Sequence, residues 1–119
     1  MTPEVRILGE PQWSEADDEI TVTLALPSDH EAFLGHFPGQ PILAGVIQIA
    51  WAMQLAAQYF KLEQRVAQDF QVKFRKVIAP TDALSLVLRR DPRRARLSFE
   101  YRVDGEIAAS GKIRLEPPA

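Results

Sequence analysis

The sequence predicts an α+β fold, one long helix packed against an antiparallel sheet of five or so strands. Three observations carry this. From Leu43 to Phe60 the chain has no charge and, after Gly45, neither glycine nor proline. Several other segments alternate apolar and polar residues with the period of a strand, clearest at Glu19 to Leu26. Asp104-Gly105 between two such segments is a strong hairpin signal.

In chain order, residues 4–9 form a short apolar run and a first strand. Glu10 to Asp18 is polar, contains Pro11, and reads as a turn. Glu19 to Leu26 puts Ile20, Val22, Leu24 and Leu26 on one face. Pro27-Ser28-Asp29-His30 ends that strand, and a short turn carries Phe33 toward Gly35-His36-Phe37-Pro38-Gly39. The helix follows over Leu43 to Phe60. Its length approaches that of a membrane span, but Gln48, Gln54 and Gln58 interrupt it. A helix apolar nearly all round belongs in the middle of a domain. Val66 to Ala79 is a long strand candidate closed by Pro80-Thr81-Asp82. Ala83 to Arg89 and Ala95 to Val103 alternate again, separated by a turn at Asp91-Pro92-Arg93-Arg94. Glu106 to Leu115 is the last strand. No linker or repeat divides residues 1–119, so the organisation is a single domain.

Composition excludes several chemistries. There is no cysteine, which removes disulfides, thiolate nucleophiles and cysteine-based zinc sites. With only His30 and His36, one subunit cannot build a multi-histidine metal centre. Met1 to Arg6 has no apolar signal core, which points to the cytoplasm. Net charge is −2 but unevenly spread. Residues 1–72 hold three basic and ten acidic side chains, whereas residues 73–102 hold nine basic and three acidic. Such a block either attracts an acidic partner or protects solvated strands from pairing. No aromatic interleaving accompanies it, which argues against nucleic acid.

The segment Gly35 to Val46 is the richest in chemistry. Pro38 and Pro41 fix φ, and Gly39 and Gly45 permit close approach, so the loop holds one titratable imidazole, His36, directly ahead of a helix. The first N–H groups of a helix lack intrahelical partners and favour negative charge. A base beside such a site suits proton abstraction next to a carbonyl. His30 lacks comparable context and reads as a surface residue. Trp51 and Phe60 read as core or dimer packing, and Gln54 as a polar residue of either the site or a buried interface.

The stretch Phe33-Leu34-Gly35-His36-Phe37-Pro38-Gly39-Gln40-Pro41-Ile42-Leu43-Ala44-Gly45-Val46 resembles the signature of the hotdog-fold 3-hydroxyacyl-[acyl-carrier-protein] dehydratases. Lys73-Phe74-Arg75-Lys76-Val77-Ile78-Ala79-Pro80-Thr81-Asp82 and Val103 to Gly111 resemble two further stretches of that family, in the same order. The continuation Gln48-Ile49-Ala50-Trp51-Ala52 looks closer to the subgroup of that family associated with aryl-polyene and related pigment pathways. The resemblance implies a hotdog fold, with the sheet of five or six strands wrapped around the helix. It implies His36 as the base that removes the Cα proton and the Gly45 N–H as holder of the enolate oxygen. It places Phe37, Pro38, Gly39, Val46 and Gln54 at substrate-binding positions.

In the family a helix aspartate or glutamate, fourteen residues after the histidine and contributed across a dimer, gives the departing hydroxyl its proton. Here that position is Ala50. Asp29 and Glu31 could substitute only if the chain folds back. The implied substrate is a 3-hydroxyacyl thioester on the phosphopantetheine arm of an acyl carrier protein, with no metal, redox cofactor, nucleic acid or membrane span. Lys73 and Arg75 are candidates for recruiting the acidic carrier. Ala50 leaves open an acid-deficient subunit or acyl-binding protein that completes its site with another hotdog chain, as homodimer or heterodimer. A hotdog thioesterase ranks lower, because it too relies on a helix carboxylate.

Overall fold

The computed structural model describes residues 2–14, 16, 18–33, 41–61, 67–91, 93 and 95–115. Six strands and one helix follow in the order β1 (Ile7–Ser14), β2 (Glu19–Leu26), α1 (Gly45–Tyr59), β3 (Ala67–Phe74), β4 (Thr81–Asp91), β5 (Arg96–Val103) and β6 (Glu106–Leu115). They form one sheet in the order β1-β2-β4-β5-β6-β3 with every pairing antiparallel. No helix among the described residues is long and apolar enough to cross a membrane.

Alternation decides which face is core. Ile20, Val22, Leu24 and Leu26 are fully buried, and so are Leu84, Leu86, Leu97, Phe99 and Tyr101 on neighbouring strands. Register lines them into rows: Val22 faces Leu86, Leu86 faces Tyr101, and Tyr101 faces Ala109. In the next row Ile20, Leu88, Phe99 and Gly111 follow one another. Gly111 has no side chain because the Phe99 ring occupies that volume. A Cβ there would lie 2.4 Å from the ring. The intervening residues face outward as Thr, Ser, Arg and Glu, and there Arg89 pairs with Glu19 and Arg102 with Glu100. The Asp104-Gly105 turn closes β5 to β6 with φ of 52° and 80°, as the hairpin signal requires.

The sheet buries one side of α1, at Gln48, Trp51, Ala52, Leu55 and Ala56. Val46, Gln54, Ala57 and Gln58 stay exposed. The helix is therefore central to the hotdog arrangement but open along one side, rather than covered all round.

Three strand bounds differ from expectation. β1 runs to Ser14 through Pro11, since an edge strand tolerates a residue without an N–H, and its register with β2 shifts between Leu8 and Gln12. β3 stops at Phe74, because the next two N–H groups, of Arg75 and Lys76, both donate to the Ala108 carbonyl (2.8 and 3.0 Å) and bend the chain away. Thr81, expected to close a strand, instead opens β4.

Candidate active site at the start of the helix

Ala44 caps α1 in an extended conformation (φ −63°, ψ 143°) without a side-chain hydrogen bond. The Ile47 and Gln48 N–H groups both donate to the Ala44 carbonyl at 3.1 Å. Those of Gly45 and Val46, at the first positions of the helix, donate to no described group. Three bonds fix this helix start. Leu43 N–H donates to the Ile78 carbonyl (2.8 Å), Gln48 Nε2 to the Leu43 carbonyl (3.0 Å), and the Tyr101 hydroxyl to the Gln48 carbonyl (2.6 Å). Burial pushes the Tyr101 phenol well above its ordinary range, so it stays a donor.

Gly45 opens onto a cavity of about 330 Å³ lined by Ile42, Ala44, Gln48, Phe74, Arg75 and Val77 among others. Its lining is largely apolar and accessible, with Phe74 and Val77 each more than half exposed, and Arg75 and Lys76 add exposed positive charge. One polar group sits beneath. Gln48 is buried and its Oε1 has no described partner. An apolar mouth over a few convergent polar groups is the usual character of a small-molecule site. Gly45 packs against the Phe74 ring, whose Cζ would lie 2.7 Å from an added Cβ, so a side chain there would displace that half-exposed ring.

The expected site residues divide as follows. Gly45 lines the pocket, whereas Val46, the next residue, is exposed and is not among its lining residues. Ala50 is half-buried, and Gln54, one turn on, is exposed; both are on the side of α1 that the sheet leaves open. No residue of α1 is acidic, so no neighbour on the helix replaces the acid absent at Ala50. His36, Phe37, Pro38 and Gly39 lie outside the described residues. Glu31 is already engaged, its Oε1 accepting the Glu4 N–H at 3.1 Å, and Asp29 faces solvent.

His30 corrects the sequence reading. It is 1% exposed rather than on the surface. Its Nδ1 accepts the Ala32 N–H at 2.9 Å, and its ring meets Trp51 edge to face with centroids 5.5 Å apart. Nε2 is buried without a described partner, which for a buried donor costs about 1–3 kcal/mol. The polar neighbours Ser28, Asp29 and Glu31 disguised this burial. The apolar pair Ala32-Phe33, beginning two residues after it, was the available signal. Tyr101 and Gln48 were also missed as site-builders, because alternation and helix periodicity identify core faces but not the bonds made there.

The sequence pattern of the ApeI-like family, described as ApeI dehydratase, matches residues 12–112. The chain belongs to the ApeI-like dehydratase family. Among solved structures, it resembles the dehydratase heterocomplex ApeI:P from Xenorhabdus doucetiae, with 33% identity and a TM-score of 0.79 over 97% of this chain and 98% of that one. Among curated proteins, it is 35% identical over 109 residues to the 3-hydroxyacyl-[acyl-carrier-protein] dehydratase FabZ of Lactococcus lactis subsp. cremoris (strain SK11), covering 82% of this chain and 75% of that one. It is 34% identical over 92 residues to FabZ of Rickettsia bellii (strain OSU 85-389), covering 68% of this ApeI-like chain. That match spans only 63% of the Rickettsia protein's length.

Proposed function

We propose that this ApeI-like chain is a 3-hydroxyacyl-[acyl-carrier-protein] dehydratase subunit of fatty-acid or polyene-type biosynthesis. The observation that carries the reading is the helix start: the Gly45 and Val46 N–H groups, without an acceptor among the described residues, beside a small, largely apolar pocket in a chain of a dehydratase family. His36 takes a proton from C2 of the thioester. The carbonyl oxygen gains negative charge, and the Gly45 N–H and the positive end of α1 stabilise it. The C3–O bond then breaks, the C2–C3 double bond forms, and the departing hydroxide takes a proton to leave as water. Phe37, Pro38, Gly39 and Val46 shape the wall of the site, and Gln54 lies further along the open side of the helix.

Ala50 cannot give that last proton. This favours a second form of the same reading, in which the chain lends its base to a site whose acid comes from another hotdog subunit. A relative in this family is known as a heterocomplex, which is consistent with such pairing. The substrate arrives on an acidic carrier protein. Lys73 and Arg75, exposed and without an ion pair among the described residues, support docking beside the pocket mouth.

The two half-reactions separate experimentally. Exchange of the C2 hydrogens of a 3-hydroxyacyl pantetheine thioester with D₂O needs the base and the helix start but no acid. The purified chain should catalyse exchange well and dehydration weakly, and His36→Ala should abolish both. Exchange that persists in His36→Ala would overturn the assignment of the base.

A further inference from the structure

The turn between β2 and the segment holding His36 is closed by three hydrogen bonds centred on His30, one of them to its side chain. His30 N–H donates to the Pro27 carbonyl (2.9 Å), Phe33 N–H donates to the His30 carbonyl (3.0 Å), and His30 Nδ1 accepts the Ala32 N–H (2.9 Å). The last of these links a side chain to the N–H two residues on, the bond that Asn and Asp make in turns. Because Nδ1 accepts, the ring hydrogen is on Nε2. The same ring contacts Trp51 on α1, and Trp51 Nε1 donates to the Pro3 carbonyl (2.8 Å). Trp51 directly follows Ala50, and His36 lies six residues after His30. One imidazole therefore joins the turn that leads to the base and the helix turn where the family's acid would sit.

A residue serving only to fill this space would be apolar. An imidazole leaves Nε2 buried without a described acceptor, while only its Nδ1 gives the turn an acceptor. The useful property of the side chain at this position is thus that acceptor, held against an aromatic wall.

We propose that His30 is a positioning residue for the dehydratase site: its Nδ1 sets the turn from which the His36 segment departs, and its ring fixes that turn against α1 at Trp51. This rests on the reading of His36 as the base. His30 itself touches no reacting atom.

The test compares His30→Asn, His30→Leu and His30→Phe in the full chain, using C2 hydrogen–deuterium exchange of a 3-hydroxyacyl pantetheine thioester as the rate. Asn offers an oxygen to the Ala32 N–H, whereas Leu and Phe fill the space without an acceptor. The Asn variant should keep kcat within about threefold. Leu and Phe should lower kcat about tenfold to a hundredfold with KM little changed, as expected for a misplaced reacting group. Amide exchange at Ala32 should stay slow in the wild type and Asn variant and become fast in Leu and Phe. This second measurement judges any variant that is folded but too weak to assay.

A purely space-filling role predicts the reverse order, with Phe and Leu best and Asn worst, and that order would overturn the proposal. So would an Asn variant as slow as Leu. His36→Ala is measured alongside. If it leaves exchange unchanged, the base assignment fails and this proposal falls with it. If it abolishes exchange while His30→Leu does not reduce it, the positioning role alone is wrong.

Discussion

Ala50→Glu tests the step that the proposed mechanism leaves without a proton donor in this chain. Ala50 is five residues into α1, about 7.5 Å along the axis from Gly45 at 1.5 Å per residue. Its neighbours one turn away on that side, Val46 and Gln54, are exposed, so a glutamate can extend without burying its charge or meeting the sheet. The intrinsic helix cost of replacing alanine by glutamate is at most about 0.5 kcal/mol. The melting temperature should fall by no more than about 5 °C. A general acid contributes about a hundredfold to ten-thousandfold, equivalent to roughly 2.7–5.4 kcal/mol of barrier. The rate effect thus exceeds the stability effect severalfold and cannot be confused with it.

The assay follows the conjugated enoyl thioester by its ultraviolet absorbance, with C2 deuterium exchange run in parallel. Exchange should be similar in wild type and variant, while dehydration rises at least a hundredfold in Ala50→Glu or Ala50→Asp. If exchange proceeds in both variants but dehydration does not accelerate, the acid is not what position 50 lacks. A wild-type chain that already dehydrates as fast as the variant, without any partner, would refute the reasoning equally.

Two glycines that each face an aromatic ring at short range should behave differently. Gly111→Ala drives a Cβ into the buried Phe99 ring and should cost about 1–3 kcal/mol in urea denaturation, with Phe99→Leu relieving part of it in a double-mutant cycle. Gly45→Ala meets the half-exposed Phe74 ring, which can swing aside. It should change stability by less than about 1 kcal/mol but lower C2 exchange about tenfold or more through the displaced oxyanion donor; equal stability losses in the two variants would contradict this. Tyr101→Phe removes a buried hydrogen bond to α1 and should cost about 0.5–1.5 kcal/mol at neutral pH. Because burial raises the folded-state phenol above its unfolded value, Tyr101's contribution is complete below about pH 10 and is lost as pH rises beyond it, at up to about 1.4 kcal/mol per pH unit. The alkaline slope of stability should therefore be shallower in Tyr101→Phe, and an unchanged slope would argue against burial as the cause.

Legibility in the sequence followed the range of each interaction. The alternation at Glu19 to Leu26 and the Asp104-Gly105 turn are local, and both strand and hairpin lie where the residues indicate. The end of β3 was not legible, because it is set by the Ala108 carbonyl taking two N–H groups from a distant strand. Pro11 misled in the same way: it looks like a break but is compatible with an edge, and which strand forms an edge is a property of the whole sheet. At the site, Gly45 was legible as a glycine at a helix start. Its steric reason, the Phe74 ring, comes from β3. Ala50 was legible only as a departure from a pattern. The burial of His30 was hidden by its polar neighbours and depends on Trp51, which is twenty-one residues away in the chain.

The two borders of the sheet are unlike. β1 carries Pro11, whereas β3 pairs only with β6 and has no proline. Proline removes an N–H that an added strand would need, so the β3 border is the one suited to accept another strand. Two hotdog units joined there would present a β1 border at each outer end. Growth would stop at two, giving a closed particle rather than a filament. If His36 is the base and position 50 the absent acid, as proposed, that limit has a stoichiometric meaning: each pairing event selects a single partner, so the make-up of the pair decides whether a complete site exists at all.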